Sequence, residues 1–284
     1  MSMEILKNLI LDEERALYGI EDTAIQNVKF KGEKDGESAL KECTNIHVKD
    51  CLFALRYPMW HDKNFAIESS RFLSTARAPL WYSSLGVINN VKMSSPKALR
   101  ECSNIKISHS DIKSVEFGWF SKEVEVIDCT LQGEYLFFKG EKIHLSAVKF
   151  KGKYSFQYID NLAIENSYLD TKDAFWHSNN IVCKNCVIKG EYLAWFSSNL
   201  TLINCRIIGT QPFCYCTNLT LIDCTMEGCD LAFEYSDVKA NVIGHIDSIK
   251  NPKSGFINCQ SVGQIIKEND KYHGSCDINI LDNK

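Results

Sequence analysis

The chain has 284 residues, 45% hydrophobic and 24% charged, with 32 Lys and Arg against 36 Asp and Glu and 13 cysteines. Apolar content of that order excludes a disordered chain, and a net charge of −4 supplies no global positive field for nucleic acid. Neither a secretory signal core nor a membrane-length apolar run is present, so a cytoplasmic protein with reduced thiols, bound to neither membrane nor nucleic acid, is expected.

Residues 1–38 read as an irregular first coil and N-terminal cap carrying a charged insertion, Lys31-Gly32-Glu33-Lys34-Asp35-Gly36-Glu37. A repeat then governs 39–243. Apolar residues that follow a polar one recur at Ile105, Val124, Ile143, Leu162, Ile181, Leu200, Leu219 and Val238, each 19 residues from the last. Backwards, the frame passes through Leu85, Phe65 and Ile46 and fits less well at Thr23.

Two past the anchors lie Val48, Ile67, Val87, Ile107, Val126 and Leu145; five past lie Cys51, Ser70, Asn90, Ser110, Cys129, Cys186, Cys205, Cys224 and Ile243. Seven past lie Phe53, Phe72, Ile112, Leu131 and Phe150, and nine past lie Gly133, Gly152, Gly190, Gly209 and Gly228, where a reversal favours positive φ. Period-2 apolarity at these offsets predicts short strands with one buried face. Two strands, a glycine turn and a third strand in 19–20 residues make one coil of a single-domain, all-β parallel β-helix spanning 1–284. About 11 coils are expected, and the unequal coil with bulky Phe and Leu inside points to the right-handed form. After Val238 the frame dissolves, so 244–284 reads as a C-terminal cap.

The third strand carries the candidate site. Six before each anchor the column is apolar (Leu40, Met59, Leu99, Phe137, Phe156, Phe175, Phe213), hence core. Alternation then turns the next column outward: Lys41, Trp60, Arg100, Trp119, Phe138, Gln157, Trp176, Trp195, Cys214 and Phe233, with Trp81 displaced by one. Beside it lie Glu42, His61, Tyr158 and His177, and Asp173 belongs to the same stripe. Aromatic faces rimmed by polar groups suit sugar rings or a protein interface, and they equally suit packing beneath the terminal segments. Glu42 and His61 are set one coil apart, as an ion pair or an orienting pair for proton transfer. Asp173 and His177 are about 13 Å apart along a strand and form no dyad.

The cysteines five past the anchor fill a column of small buried side chains. Cys183-Lys184-Asn185-Cys186 has ligand spacing, yet Cys183 stands at a core position and no second pair completes a four-ligand set, so neither metal nor cofactor is expected.

The segments Glu37-Ser38-Ala39-Leu40-Lys41-Glu42-Cys43, Tyr57-Pro58-Met59-Trp60-His61, Arg77-Ala78-Pro79-Leu80-Trp81-Tyr82-Ser83, Gly152-Lys153-Tyr154-Ser155-Phe156-Gln157-Tyr158, Lys172-Asp173-Ala174-Phe175-Trp176-His177 and Asn251-Pro252-Lys253-Ser254-Gly255 resemble the mainly bacterial domain of unknown function 3737 family. The resemblance covers nearly the whole chain and implies a pectin-lyase-like β-helix but no activity. A hydrogenase label carried by some members has no support in this sequence, which lacks the multiple Cys-x-x-Cys clusters such centres need. Three readings follow: binding of a carbohydrate or protein partner through the aromatic face, a lyase or hydrolase using a carboxylate with His61 or His177, and a structural or homo-oligomerising module.

Overall fold

A computed structural model describes residues 3–268 and 272–281. Residues 269–271 and 282–284, part of the expected C-terminal cap, lie outside the described residues. No helix occurs among the described residues; the fold is a parallel β-solenoid of about 14 turns. Two compact units are distinguished, Met1–His144 and Leu145–Lys284.

In the first unit, Glu4–Lys7, Glu21–Gln26, Thr44–Lys49, Lys63–Glu68, Ser84–Asn89, Ser103–Ser108 and Lys122–Ile127 pair successively in parallel. Register aligns Thr23, Ile46, Phe65, Gly86, Ile105 and Val124, the repeat anchors, with one correction. The anchor is Gly86 and not Leu85, which is 47% exposed. A Cβ at Gly86 would sit 2.2 Å from Phe65 Cζ, so glycine there makes room for the ring below. The one-residue shift buries Ile88 and Val91 in place of Val87 and Asn90 and puts Trp81 squarely in the tryptophan column. In the second unit the same register joins Leu162, Ile181, Leu200, Leu219, Val238 and Gly255. A register shift between Leu221 and Cys224 pairs Cys224 with Val242, leaving Ile243, expected in the inward column, 51% exposed.

The coil count exceeds the expected 11 because both end segments hold strands. Glu4–Lys7 and Ile10–Leu11 precede the regular coils, and Ser254–Cys259 and Asp277–Ile280 continue the ladder after them.

The third side of the coil is not a strand. Alternate residues there take left-handed backbone: Asp173, Phe175 and His177 have φ of 53°, 63° and 53°, and Gln211, Phe213 and Tyr215 repeat the pattern at 50°, 63° and 59°. Such conformations cost L-residues roughly 1–2 kcal/mol each. Hydrogen bonds between coils offset that cost: Phe175 N–H donates to Ser155 O (3.0 Å), His177 N–H to Trp195 O (3.0 Å) and Phe213 N–H to Leu193 O (2.7 Å). At the other corners Asn fills the left-handed position and forms ladders, Asn204 to Asn185 (2.9 Å) and Asn185 to Asn166 (3.2 Å).

Two glycines of the predicted column show why no side chain fits. Gly190 has φ 149° and a Cβ there would lie 2.0 Å from Thr171 O; Gly133 lacks positive φ, yet its Cβ would lie 1.7 Å from Ser114 O. Close approach of the neighbouring coil's carbonyl is the shared requirement, beyond the expected reversal.

Inward Ser and Cys bond the backbone at the corners. Ser70 Oγ accepts from Cys51 N–H (3.0 Å), and Cys51 Sγ donates to Lys49 O (3.2 Å). A second such column has no counterpart among the expected ones: Cys43, Asp62, Ser83, Cys102 and Ser121, with Ser178, Ser197, Cys216 and Ser236 in the second unit, for example Cys102 N–H to Ser121 Oγ (3.2 Å). Burial pushes the Cys102 and Cys216 thiols up to about 12. Twelve cysteines are buried; Cys276 is half-exposed, and burial pushes it up to about 11. Titration with an aromatic disulfide at pH 8 is therefore expected to modify at most Cys276 in the native protein and all 13 thiols after denaturation. Rapid reaction of several native thiols would contradict the buried ladders.

Candidate functional site

In the first unit, Trp60, Trp81 and Trp119 are half-buried and pinned. Their indole N–H groups donate to carbonyls of a neighbouring coil, at Ala78 (2.9 Å), Lys97 (2.7 Å) and Tyr135 (2.8 Å). Trp60 and Trp81 stack with centroids 5.0 Å apart and 7° between planes. The Arg100 guanidinium lies 5.1 Å from the Trp81 ring and 5.6 Å from Trp119, extending the stack as a cation. His61 stacks on Tyr82 (4.9 Å), while the Glu42 carboxylate accepts the Tyr18 hydroxyl. No ion pair joins Glu42 to His61 among the described residues.

The second unit repeats the arrangement. Trp176 and Trp195 donate to Tyr192 O (2.7 Å) and Gln211 O (2.8 Å), Gln157 Nε2 makes the equivalent bond to Asp173 O (3.0 Å), and the two indoles stack at 5.4 Å. Outside them runs a continuous file, Tyr158, His177, Phe196, Tyr215 and Tyr235, with successive centroids 5.0, 5.0, 4.7 and 5.8 Å apart and planes within 24°. Tyr158, Phe196 and Tyr215 are 47%, 45% and 38% exposed, and His177 is exposed. One side chain per coil at one strand spacing brings the rings into line.

Three residues depart from the expected outward stripe. Cys214 and Phe233 are buried, and Asp173 is only 6% exposed. Strict alternation fails because the left-handed segment turns runs of neighbours to one side: Asp173, Ala174 and Phe175 are all buried, and Trp176 and His177 both reach the surface. Burial raises the Asp173 carboxyl above its ordinary pKa, with Lys172 opposing.

Stacked rings cover one another's faces and offer their edges to solvent. This surface therefore presents a narrow apolar ridge tipped by hydroxyls and an imidazole, not open platforms for sugar rings. His177 lies between the Tyr158 and Phe196 rings at 5.0 Å from each, so aromatic surface flanks both of its faces.

The first unit holds a second feature that sequence patterning does not single out. On the outward face of Arg71–Phe72, Lys92–Ser94 and Asp111–Glu116 lies a shallow pocket of about 290 Å³ lined by Arg71, Lys92, Ser94, Asp111, Lys113 and Gln132 among others. Its signal is present as cations in the outward columns of successive second strands, but isolated surface charges in a repeat resemble solvated faces.

Among the described residues no group of three or more His, Cys, Asp or Glu is placed to hold a metal ion. No helix among them is long and apolar enough to cross a membrane.

No curated protein sequence matches the chain significantly. Solved structures with similar chain paths include the surface adhesin PfbA of Streptococcus pneumoniae (12% identity, TM-score 0.32, covering 89% of this chain and 72% of that one). Others are the A-module of the mannuronan C-5 epimerase AlgE6 of Azotobacter vinelandii (8%, 0.30, 95% and 80%) and the periplasmic alginate epimerase AlgG (10%, 0.29, 91% and 77%). The family described as proteins of unknown function, DUF3737, matches residues 4–280, and the chain belongs to it.

Proposed function

We propose that this chain is a binding protein without catalysis, and that the ligand packs against the ring edges of Tyr158, His177, Phe196 and Tyr215. The observation that carries this reading is the exposed file itself: four large rings aligned at 5.0, 5.0 and 4.7 Å, with their edges open to solvent among the described residues. Aromatic side chains of this kind are the usual anchors of protein interfaces. Edge-on presentation favours a protein partner over a glycan, because sugar recognition draws on open ring faces. The enzymatic reading is less well supported: Glu42 is engaged by Tyr18, Asp173 is buried, and rings flank both faces of His177.

The test compares the whole protein with a Phe196→Ser/Tyr215→Ser variant. A partner identified by affinity enrichment and then purified is expected to bind the variant at least about 30-fold more weakly, the loss of one anchor of about 2 kcal/mol. Binding to a glycan array, lost in the variant, would move the ligand class to carbohydrate. Release of reducing ends or unsaturated sugars from any polysaccharide, abolished by His177→Ala, would overturn the non-catalytic reading.

A further inference from the structure

Arg71, Lys92 and Lys113 all line the first unit's outward pocket, and none of them forms an ion pair among the described residues. Other cations of the first unit do pair across coils, as Lys122 does with Glu141 (2.9 Å) and Lys142 with Glu123 (3.1 Å). Register explains the clustering. Lys92 is the strand partner of both Arg71 and Asp111, and Lys113 is partnered with Ser94, so the three cations occupy three consecutive coils about 4.8 Å apart. A further shallow cavity of about 300 Å³ shares Arg71 and Lys92 with the pocket and adds Ser69, Ser70 and Asn90.

Asp111 decides what kind of anion suits the pocket. A bare phosphate or sulfate resting on Lys92 would meet this carboxylate one coil away, and like charges repel. A ligand that carries hydroxyl groups beside its acid turns Asp111 from a repulsive neighbour into a hydrogen-bond acceptor, with Ser94 and Gln132 able to bond further hydroxyls. We propose that this pocket binds a small hydroxylated organic anion, a sugar acid or a sugar phosphate, with Arg71, Lys92 and Lys113 on the acidic group and Asp111 on the hydroxyls. The site lies wholly in the first unit and is independent of the aromatic file, so either proposal stands if the other fails.

Isothermal titration calorimetry of the full chain with glucuronate, glucose 6-phosphate, inorganic phosphate and glucose tests it. Saturable binding of at least one sugar anion is expected, weakening as salt rises, with inorganic phosphate at least about tenfold weaker and glucose inert. Response to glucuronate alone identifies a carboxylate ligand, response to glucose 6-phosphate alone a phosphate ester. Arg71→Gln and Lys92→Gln, both on the exposed face, should each weaken binding about tenfold with an unchanged melting temperature, and Asp111→Asn should narrow the gap to inorganic phosphate. No binding of either sugar anion, or binding unchanged in the Arg71→Gln/Lys92→Gln variant, overturns the site; equal affinity for inorganic phosphate overturns the role of Asp111.

Discussion

Phe53→Ala is expected to lower stability by about 4 kcal/mol, within the range for emptying a buried phenylalanine site. Phe53 is fully buried in the first unit, stacked on Phe30 (4.8 Å) and on Phe72 (4.4 Å) with planes 10° and 6° apart. In a solenoid each coil contacts only its neighbours, so deleting this ring weakens two interfaces at once. The surrounding side chains are held by strand register and cannot close the gap without breaking it. Thermal unfolding is expected to begin about 10 °C lower, at roughly 2–4 °C per kcal/mol for a chain of this class. Phe53→Leu keeps most of the volume and should cost under about 1.5 kcal/mol. Amide hydrogen exchange supplies the local readout: Leu52–Phe53, Lys29–Phe30 and Arg71–Phe72 should lose protection first. A drop of under 2 °C would mean that the ring column collapses freely and carries little of the core.

Period and spacing alone make this column legible, because Phe53 and Phe72 recur at one offset and strand pairing then stacks them. The frame slips at Gly86 because a glycine at an anchor offers no apolar side chain to count, so Leu85 takes its place although its own side chain faces outward. The third side is harder to read. Aromatic residues are strand formers by propensity, and nothing local marks Phe175 or Phe213 as left-handed. Extending strand alternation into that segment puts Cys214 and Phe233 outside, whereas the fold buries them, and puts His177 inside with Phe175, whereas the fold exposes it. The tryptophan column is visible in the repeat, but its hydrogen bonds are not, since an indole N–H reaching a carbonyl 16 residues ahead, as Trp176 does, depends on a coil geometry the sequence leaves open. Ring stacking is implicit in the register; its consequence, that edges and not faces meet solvent, follows only from the interplanar angles.

Asp62→Ser is expected to stabilise the protein at pH 7, by about 2 kcal/mol and roughly 4–8 °C. Asp62 is 1% exposed in a column otherwise built from Ser and Cys. One carboxylate oxygen accepts the Cys43 N–H (2.8 Å), as serine hydroxyls do elsewhere in the column, but Oδ2 is buried without a hydrogen-bond partner. Burial pushes this carboxyl well above its ordinary range; the Cys43 N–H opposes the shift and the nearby Glu42 adds to it. The sign follows from linkage. As pH rises, the unfolded chain releases this proton near pH 4 while the folded chain retains it, so stability falls from about pH 4 up to the raised folded pKa and is constant beyond. A serine hydroxyl keeps the bond to Cys43 N–H and carries no charge to desolvate. Its advantage should therefore be larger at neutral pH than at pH 4 and vanish only below the unfolded pKa, where aspartic acid is neutral in both states. Denaturant melts of the two proteins across pH 4–8 measure the difference directly. An equal gain at both ends of that range would assign the effect to packing and not to the carboxylate, and a loss at pH 7 would mean that Oδ2 has a partner worth keeping.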